Sequence, residues 1–358
     1  MEFTVLGTDI VQALDRIVKV TSKEPAKLVI SSGKDKVVFL AEHESRFIRY
    51  PITAQIDTLF EPISIPVDRL KAACNKRGLM TFTVSHNSLA FKSKEGNSKG
   101  ELFLKQFEHV EFPVYKFPKD SLVITKELID YFTHVELSPD ISQTDMVCFI
   151  DTIGKLKLVS ANSNVAAILK CVNKLDVTPV STCILINYIN IFNSLFNKDE
   201  YQLVLSDSVI YAGCRGVTIK LPVFDPGTLS LEKVEEVVNE KKNTTSFDVN
   251  VEDFITAISR LKVAHSKGSP ITLSIKKDML TAGMESNFGK AFEALTVSNK
   301  KGKDGTAFVN FDMFNDIVNT LKASGGINIG FVDDSAVKVS IKNELFSLLY
   351  MVAAVGAD

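Results

Sequence analysis

The chain has 358 residues, 45% of them hydrophobic and 23% charged, with a formal net charge of −2. This composition excludes a largely disordered chain, and the near-neutral charge argues against a protein that holds nucleic acid by bulk electrostatic attraction. No apolar run approaches the roughly 18 residues of a membrane span, and the N-terminus lacks the basic-then-apolar order of a secretory signal. We therefore expect a cytoplasmic globular protein.

Motifs of catalysis and metal binding do not occur in the sequence. The five cysteines are odd in number and form no CxxC pair, which favours small buried thiols in a reducing compartment. There is no dinucleotide-binding glycine motif, phosphate-binding loop or HExxH motif, and the five histidines lack metal-ligand spacing. The carboxylate clusters at 140/145 and 333/334 fall in predicted loops. We expect no catalytic residue, no metal and no cofactor.

The chain opens with a strand, a polar turn and an amphipathic helix. Apolar residues from Ile10 recur at i, i+4, i+7 and i+8, the spacing of a helix face turned toward a core. A second strand, turn and helix begin at Ile63. Alternating residues interrupted by a polar turn at His86 and Asn87 then predict a β-hairpin.

The same order of predicted elements recurs twice more along the chain. The first strand–helix pattern reappears at Leu122 and Phe247, and the second at Cys183 and Ala307. Both patterns have a period of about 122 residues, which is the mark of tandem copies of one unit. The sequence therefore predicts an α+β protein of three domains, each with about eight strands and two helices. We expect them at 1–118, 119–242 and 243–358, with boundaries near Pro118 and in the charged run Glu232–Asn243.

Exposed positions of the predicted helices lean basic in the first and third copies. In the second copy they carry Glu127, Asp130, Glu136 and several asparagines instead. A single charged helix face is usually only solvated surface, but two basic faces in a slightly acidic protein favour a localised surface for phosphates. The candidate residues on or just beyond these helices are Gln12, Arg16, Lys19, Lys23, Arg69, Lys71, Lys76, Arg77, Lys198, Arg260, Lys262, Lys267 and Lys322.

Several segments together carry a resemblance to a known family: MEFTVLGTDIVQALDRI, IPVDRLKAACNKRG, GELFLKQFEHVEFP, LKLVSANSNVAAI and LFSLLYMVAAVGAD. Over its whole length the chain resembles the bacterial-type β sliding clamps of replicative DNA polymerases. The large divergence suggests a phage-encoded or otherwise distant member, which would act in the host cytoplasm.

The resemblance implies a non-enzymatic processivity factor. Two chains would pair head to tail as a homodimer, and the ring would encircle double-stranded DNA without reading its sequence. It would tether a polymerase, and possibly bind a clamp loader, through short linear motifs. By position, Lys23 corresponds to a DNA-contacting basic residue. The loop Asp140–Thr144 corresponds to another DNA-facing loop, where Ser142, Gln143 and Thr144 replace basic and aromatic residues, with Gln143 kept as a candidate contact.

Two further sets of residues follow from the resemblance by position. The partner-peptide groove would be lined by Ala161, Ser163, Val165, Ala166, Pro222, Ala353 and Val355. The subunit interface would comprise Leu102, Phe103 and Leu104 on one side and Val263 and Ala264 on the other. The family's Gly-His-Arg-Leu and Met-Pro-x-Arg segments are absent, so the groove residues could equally pack a domain seam, and any peptide preference is expected to differ.

Two other function classes compete with this interpretation. An enzyme would need a convergent catalytic set, and the sequence shows none. A repetitive β-rich structural or assembly protein without a DNA-encircling role would share the repeat, but it would not need basic helix faces. Oligomeric state and retention on circular DNA discriminate between these alternatives.

Overall fold

The computed structural model describes the chain except for residues 22–26, 75–77, 95–97, 105–114, 120, 136–145, 175–178, 180, 197–198, 207, 226, 228, 322–325, 334 and 356–358, and gives only the backbone of residues 27, 127 and 174. Its residues form two compact units. The first comprises Met1–Lys126 and Ile191–Val223, and the second comprises Glu127–Asn190 and Phe224–Asp358.

The predicted α+β class is confirmed, with one order of elements repeated three times. The first pass comprises β1 (Glu2–Leu6), α1 (Gly7–Thr21), β2 (Lys27–Ser32), β3 (Lys36–His43), β4 (Arg46–Thr53), β5 (Gln55–Ile56), β6 (Ile63–Ser64), α2 (Val67–Cys74), β7 (Leu79–Val84), β8 (Ser88–Ser93) and β9 (Lys99–Phe103). The second comprises β10 (Leu122–Ile124), α3 (Lys126–Val135), β11 (Val147–Asp151), β12 (Lys155–Ala161), β13 (Val165–Lys174), β14 (Ser181–Leu185), α4 (Asn187–Leu195), β15 (Tyr201–Leu205), β16 (Val209–Cys214) and β17 (Val217–Pro222).

A helix that the sequence analysis did not predict, α5 (Leu231–Glu240), precedes the third pass. The third pass then comprises β18 (Thr245–Asn250), α6 (Val251–Leu261), a 3-10 turn (Lys262–Ala264), β19 (Pro270–Lys276), β20 (Met279–Ser286), β21 (Gly289–Thr296), β22 (Ser298–Gly302), β23 (Gly305–Asn310), α7 (Phe311–Thr320), β24 (Gly326–Val332), β25 (Ala336–Lys342) and β26 (Phe346–Ala353). The three predicted hairpins are confirmed as β7–β8, β15–β16 and β24–β25. The exact limits of the three copies stay a prediction from the sequence period.

The first unit contains two antiparallel sheets. One has the strand order β5-β1-β7-β8-β9, and the other has the order β10-β15-β16-β17-β4-β3-β2-β6. The larger sheet is continuous across the first and second copies because β17 pairs with β4, with Ile219 opposite Ile48. The guanidinium of Arg49 adds a 2.7 Å hydrogen bond to the carbonyl oxygen of Gly216 at this join.

The second unit repeats this arrangement. A nine-stranded sheet has the order β14-β11-β12-β13-β26-β25-β24-β18-β22, and a four-stranded sheet has the order β21-β20-β19-β23. Here β13 of the second copy pairs with β26 of the third, from Val165 opposite Val352 to Cys171 opposite Phe346. The same pair of edge strands therefore joins successive copies at both places within the chain.

Amphipathic helices cover the sheets and close the cores. In α1 three residues of the predicted apolar stripe, Ile10, Leu14 and Ile17, are at most 1% exposed, whereas the fourth, Val18, is half-buried. In the third copy the rings of Phe254 on α6 and Phe314 on α7 meet edge to face at 5.9 Å, both fully buried. Burial of this apolar area is the main stabilising term for each core, since it removes hydrocarbon surface from water.

We expect Gly302→Ala to destabilise the second unit strongly. Gly302 ends β22 with a φ of +86°, and a Cβ added there would lie 2.0 Å from the carbonyl oxygen of Thr244. Backbone strain and the steric clash together should lower the free energy of unfolding by about 3 kcal/mol. Thermal unfolding followed by circular dichroism measures the effect.

Gly268→Ala is the matched control, because Gly268 has a similar φ of +82° and no atom within 4 Å of an added Cβ. This variant should show the effect of backbone strain alone, which would lower the free energy of unfolding by about 1 kcal/mol. Equal losses at the two positions would contradict the assignment of the larger effect to the Thr244 contact.

Candidate functional site

The second unit contains an apolar groove of about 330 Å³. One wall is the β12–β13 turn, and a second is formed by the last strands of the third copy. The third wall is α5 together with the segment that precedes it. The lining residues are Ala161, Asn162, Ser163, Asn164, Val165, Ala166, Leu229, Lys233, Val234, Val237, Val238, Lys241, Ser335, Ala336, Met351 and Ala353. The volume lies at the lower end of the usual range for ligand pockets.

The β12–β13 turn is held by one asparagine side chain. Asn162 Oδ1 accepts hydrogen bonds from the backbone N–H groups of Asn164 (2.8 Å) and Val165 (3.0 Å). The N–H group of Ala353 donates to the carbonyl oxygen of Asn164 at 2.8 Å, which ties the turn to the end of β26. Because side-chain and backbone bonds fix the turn, this wall of the groove is preorganised.

The apolar face of α5 packs on the second copy's sheet. Leu231, Val234 and Val238 are buried in one cluster with residues of β11, β12 and β13, including Phe149 and Ile168. The helix begins at an N-cap, Ser230, whose hydroxyl accepts from the N–H group of Lys233 at 3.2 Å. Such a cap satisfies an otherwise unpaired donor of the first turn.

Charged side chains also fasten α5 to the sheet. Glu235 is bonded to Lys170 at 2.7 Å and to Lys157 at 2.9 Å. Burial alone would raise the pKa of Glu235, but the hydrogen bonds and charges of the two lysines outweigh it and lower that pKa. The Nζ of Lys338 donates to the carbonyl oxygens of Val238 and Lys241 at the end of α5, and burial lowers the pKa of Lys338.

The structure brings five of the seven groove candidates together. Ala161, Ser163, Val165, Ala166 and Ala353 line the groove, whereas Pro222 and Val355 are not among its lining residues. The α5 wall was missed by the sequence analysis. Its signal was present in the spacing of Leu231, Val234 and Val238, and in the serine that precedes them, but the surrounding run of charges favoured a linker.

The described phosphate-facing candidates of the first unit lie on two adjacent helices, α1 and α2. Gln12, Lys19 and Arg69 are exposed. Arg16 is half-buried, because its guanidinium donates to the hydroxyl of Tyr50 and lies 5.5 Å from the centre of that ring. Lys71 forms a 2.5 Å ion pair with Asp15, so α1 and α2 are linked across their exposed sides.

In the second unit, Arg260, Lys262 and Lys267 are exposed at and beyond the end of α6. Arg260 pairs with Glu293 at 3.4 Å. Six further candidates, Lys23, Lys76, Arg77, Gln143, Lys198 and Lys322, lie outside the described residues. The described charge on the exposed sides of the third copy's helices is therefore modest, as it is in the first.

The candidate interface residues lie on one sheet edge and in the 3-10 turn that follows α6. On β9, an edge strand of the five-stranded sheet, Phe103 is 80% exposed, and Leu102 and Leu104 at its end are half-buried. In the second unit Val263 is 76% exposed and Ala264 is buried. The edge strand β21 adds Phe292, which is 65% exposed and was not among the sequence candidates.

Among the described residues, no group of three or more His, Cys, Asp or Glu side chains is arranged to hold a metal ion. None of the helices in the described part of the chain is long and apolar enough to cross a membrane.

Solved structures of bacterial clamps share this fold over the full length of the chain. The β chain of DNA polymerase III from Streptococcus pneumoniae superposes with a TM-score of 0.81 at 16% identity, covering 99% of this chain and 100% of its own. The DNA polymerase sliding clamp of Bacillus subtilis gives 0.81 at 15% identity, and a putative DNA polymerase III β subunit from Eubacterium rectale gives 0.82 at 13%, each covering 100% of both chains. The chain therefore has the β-clamp fold.

Comparison at the level of sequence gives no match, either to a protein-family model or to a curated protein.

We expect Glu235→Gln to destabilise the second unit by about 1–2 kcal/mol, because it removes a charged partner of two lysines. The pKa of Glu235 is lowered in the folded state, so its contribution is fully present above the unfolded carboxyl pKa of about 4.3. It is lost as the pH falls through the folded pKa. The difference between wild type and variant should thus be constant above about pH 5 and shrink at lower pH.

Urea unfolding followed by circular dichroism at several pH values measures this difference, since the chain has no tryptophan. Glu236→Gln is the control, because Glu236 is exposed on the same helix and should change stability by less than about 0.5 kcal/mol. A Glu235→Gln effect that persists undiminished in acid would contradict the ionic origin of the stabilisation.

Proposed function

We propose that the chain is a DNA sliding clamp: a non-catalytic processivity factor that encircles duplex DNA as a homodimer and tethers a replicative polymerase and other replication proteins. The observation that carries the proposal is that, among the described residues, the edge strands β9 and β21 each pair with a strand on one side only. They are equivalent to the strands that pair where one copy of the repeat joins the next within the chain.

The nine-stranded sheet shows what such a join looks like. Four strands in the order β14-β11-β12-β13 meet five in the order β26-β25-β24-β18-β22. Read in reverse, the four-stranded sheet has the order β23-β19-β20-β21. These strands of the third copy are equivalent to β14, β11, β12 and β13 of the second copy, and they stand in the same order. Read in reverse, the five-stranded sheet has the order β9-β8-β7-β1-β5. These strands of the first copy are equivalent to β26, β25, β24, β18 and β22 of the third copy, again in the same order.

Pairing β21 of one chain with β9 of another would therefore complete a third join of the same kind. A head-to-tail contact that closes on itself gives a ring, whereas one that does not close gives a filament. Two chains joined twice in this way would contain six copies of the repeat. The homodimer expected from the sequence is one such closed ring, in which neither edge is left open.

Exposed aromatic residues on these edges support the same proposal. Phe103 on β9 and Phe292 on β21 are 80% and 65% exposed in the single chain. An apolar, unpaired edge strand is an aggregation hazard unless it is covered. Burial of both rings against a second copy would remove that hazard and would contribute to the stability of the ring.

The modest basic charge of the helix faces suits a clamp. A closed ring is retained on DNA by topology, so contacts to phosphates need only be weak and independent of sequence. Gln12, Lys19 and Arg69 on α1 and α2, with Arg260, Lys262 and Lys267 in the third copy, would supply them. Lys23, Lys76, Arg77, Gln143, Lys198 and Lys322 remain sequence-based candidates for the same role.

The proposed role requires no cofactor, and the groove in the second unit would receive short linear motifs of a polymerase and, where one is used, a clamp loader. Such a protein acts where DNA is replicated, which keeps the cytoplasmic location expected from the sequence.

The proposal predicts the mass of the assembly in solution. The chain has a mass of 39.5 kDa, and we expect light scattering at micromolar concentration to give twice that value. Phe103→Asp combined with Phe292→Asp should give the monomer mass, because each join would then bury two carboxylates without partners.

Ile153→Asp is the control for the loss of an exposed apolar residue, since Ile153 is 64% exposed in the turn before β12. This variant should stay dimeric. A wild-type monomer that also fails to assemble on circular DNA would favour a β-rich structural protein over a clamp.

The second prediction concerns DNA. Gln12→Glu, Lys19→Glu and Arg69→Glu together should weaken binding of a short linear duplex at low ionic strength by about tenfold, because phosphate contacts account for most non-specific affinity. Fluorescence anisotropy measures it. A matched control reverses three exposed lysines elsewhere, Lys242, Lys276 and Lys301, and should bind as wild type does.

Topological retention is tested with the same proteins. Dimers opened by dilution and reconcentrated with a circular plasmid should remain on it in high salt during gel filtration, and cutting the plasmid once should release them. Retention that is equal on circular and linear DNA would contradict encirclement.

A further inference from the structure

Helix α5 separates two concave surfaces of the second unit. Lys233, Val237 and Lys241 border the apolar groove. Asn239, on the other side of the helix, borders a depression of about 700 Å³ whose lining includes Lys170, Asp248 and Lys338 among apolar residues. The Glu235 and Lys338 contacts that fasten the helix lie toward this side. The two sides of α5 therefore differ in chemistry.

On its groove side, α5 presents an alternation of positive and apolar groups. Lys233 and Val237 lie four residues apart on one stripe of the helix. Lys241, the C-cap, follows after four more residues, and its Nζ donates to the hydroxyl of Ser335 at 3.5 Å. All three are exposed, with Val237 at 49%. Lys233 and Lys241 are eight residues apart, about 12 Å along the helix axis.

Among the described residues that line the groove there is no carboxylate. Of the α5 glutamates, Glu235 faces Lys157 and Lys170, and Glu232, Glu236 and Glu240 are absent from the lining. The groove candidates identified from the sequence are also all uncharged. The charged side chains of the described lining are therefore Lys233 and Lys241, and both are cationic.

We infer that α5 is the specificity-determining wall of the groove, and that the groove takes a short extended segment whose apolar side chains are bracketed by two carboxylates. An extended chain rises about 3.3 Å per residue, so carboxylates four positions apart span about the same distance as Lys233 and Lys241. Because successive side chains of an extended segment point to opposite sides, the apolar side chains between the carboxylates would face the floor formed by Ala161, Ala166 and Val234. This inference rests on the proposed function of the groove as the docking site for partner segments.

Three fluorescein-labelled peptides test it. The acidic probe is Ser-Asp-Leu-Ser-Leu-Asp-Ser, the basic probe has Lys at both Asp positions, and the neutral probe has Asn there. At low ionic strength the acidic probe should bind wild type about tenfold more tightly than the basic one, the effect of two exposed ion pairs against two repulsions. Added salt should narrow this gap, because exposed charges are screened.

Variants assign the preference to α5. Lys233→Gln with Lys241→Gln should bring the three probes to similar affinity without changing that of the neutral probe. Lys276→Gln with Lys301→Gln, both exposed and outside the groove lining, should keep the preference. Val237→Ser, which removes an apolar contact without adding charge, should weaken the binding of all three probes. Equal affinities for wild type, a preference that survives in the first double variant, or a failure of every probe to bind would each overturn the inference.

The same double variant separates this inference from the clamp proposal. Lys233→Gln with Lys241→Gln should leave the dimer mass and the retention on circular DNA unchanged. Rings that form and are retained but show no acidic preference refute the inference alone. A chain that shows the preference through α5 but neither dimerises nor stays on circles refutes the clamp proposal alone.

Discussion

The backbone hydrogen-bonding groups at a sheet edge are the constraint on which this structure depends. Each copy of the repeat presents strands whose N–H and C=O groups must be paired, covered or protected. The chain meets that requirement twice by pairing an edge of one copy with an edge of the next, through β4 and β17 and through β13 and β26. The repeat is thus a unit that continues by sheet extension, and three copies leave one edge of each type at β9 and β21.

This constraint explains why so divergent a sequence keeps the fold. At 13–16% identity to the clamps with which it superposes, few side chains are held in common. Backbone pairing does not depend on side-chain identity, and alternation of apolar and polar residues is enough to put one face of each strand in the core. Cores also accept extensive hydrophobic substitution when volume and patterning are kept. The strand pattern and its period therefore survive where individual residues do not.

The fold was largely predictable from the sequence, and the groove was predictable only in part. The period of about 122 residues and the apolar stripes of α1 and α6 report on buried faces, where physical requirements are strong. The groove residues between 161 and 166 could be placed only by position, through the resemblance of their segment to the clamp family. Helix α5 could not be placed in this way, because Glu232, Lys233, Glu235 and Glu236 surround its three buried residues and lower the mean hydropathy of the segment. Its stability comes from contacts distant in sequence, with Lys157, Lys170 and Lys338, which no local pattern reveals.

The pairing of the phosphate-facing candidates also could not be predicted from local sequence. Sequence periodicity identified Arg16 and Lys71 as exposed cations equivalent to Lys19 and Arg69. In the structure the guanidinium of Arg16 is held by the neutral hydroxyl of Tyr50, Lys71 is paired with Asp15, and Arg69 lies 3.8 Å from a carboxylate oxygen of Asp68. A paired cation contributes less field at a distance than an unpaired one, since the partner's charge opposes its own. Counting basic residues on a helix therefore overstates the positive field of that surface, and the small remainder suits the weak contact with DNA that the proposed clamp would need.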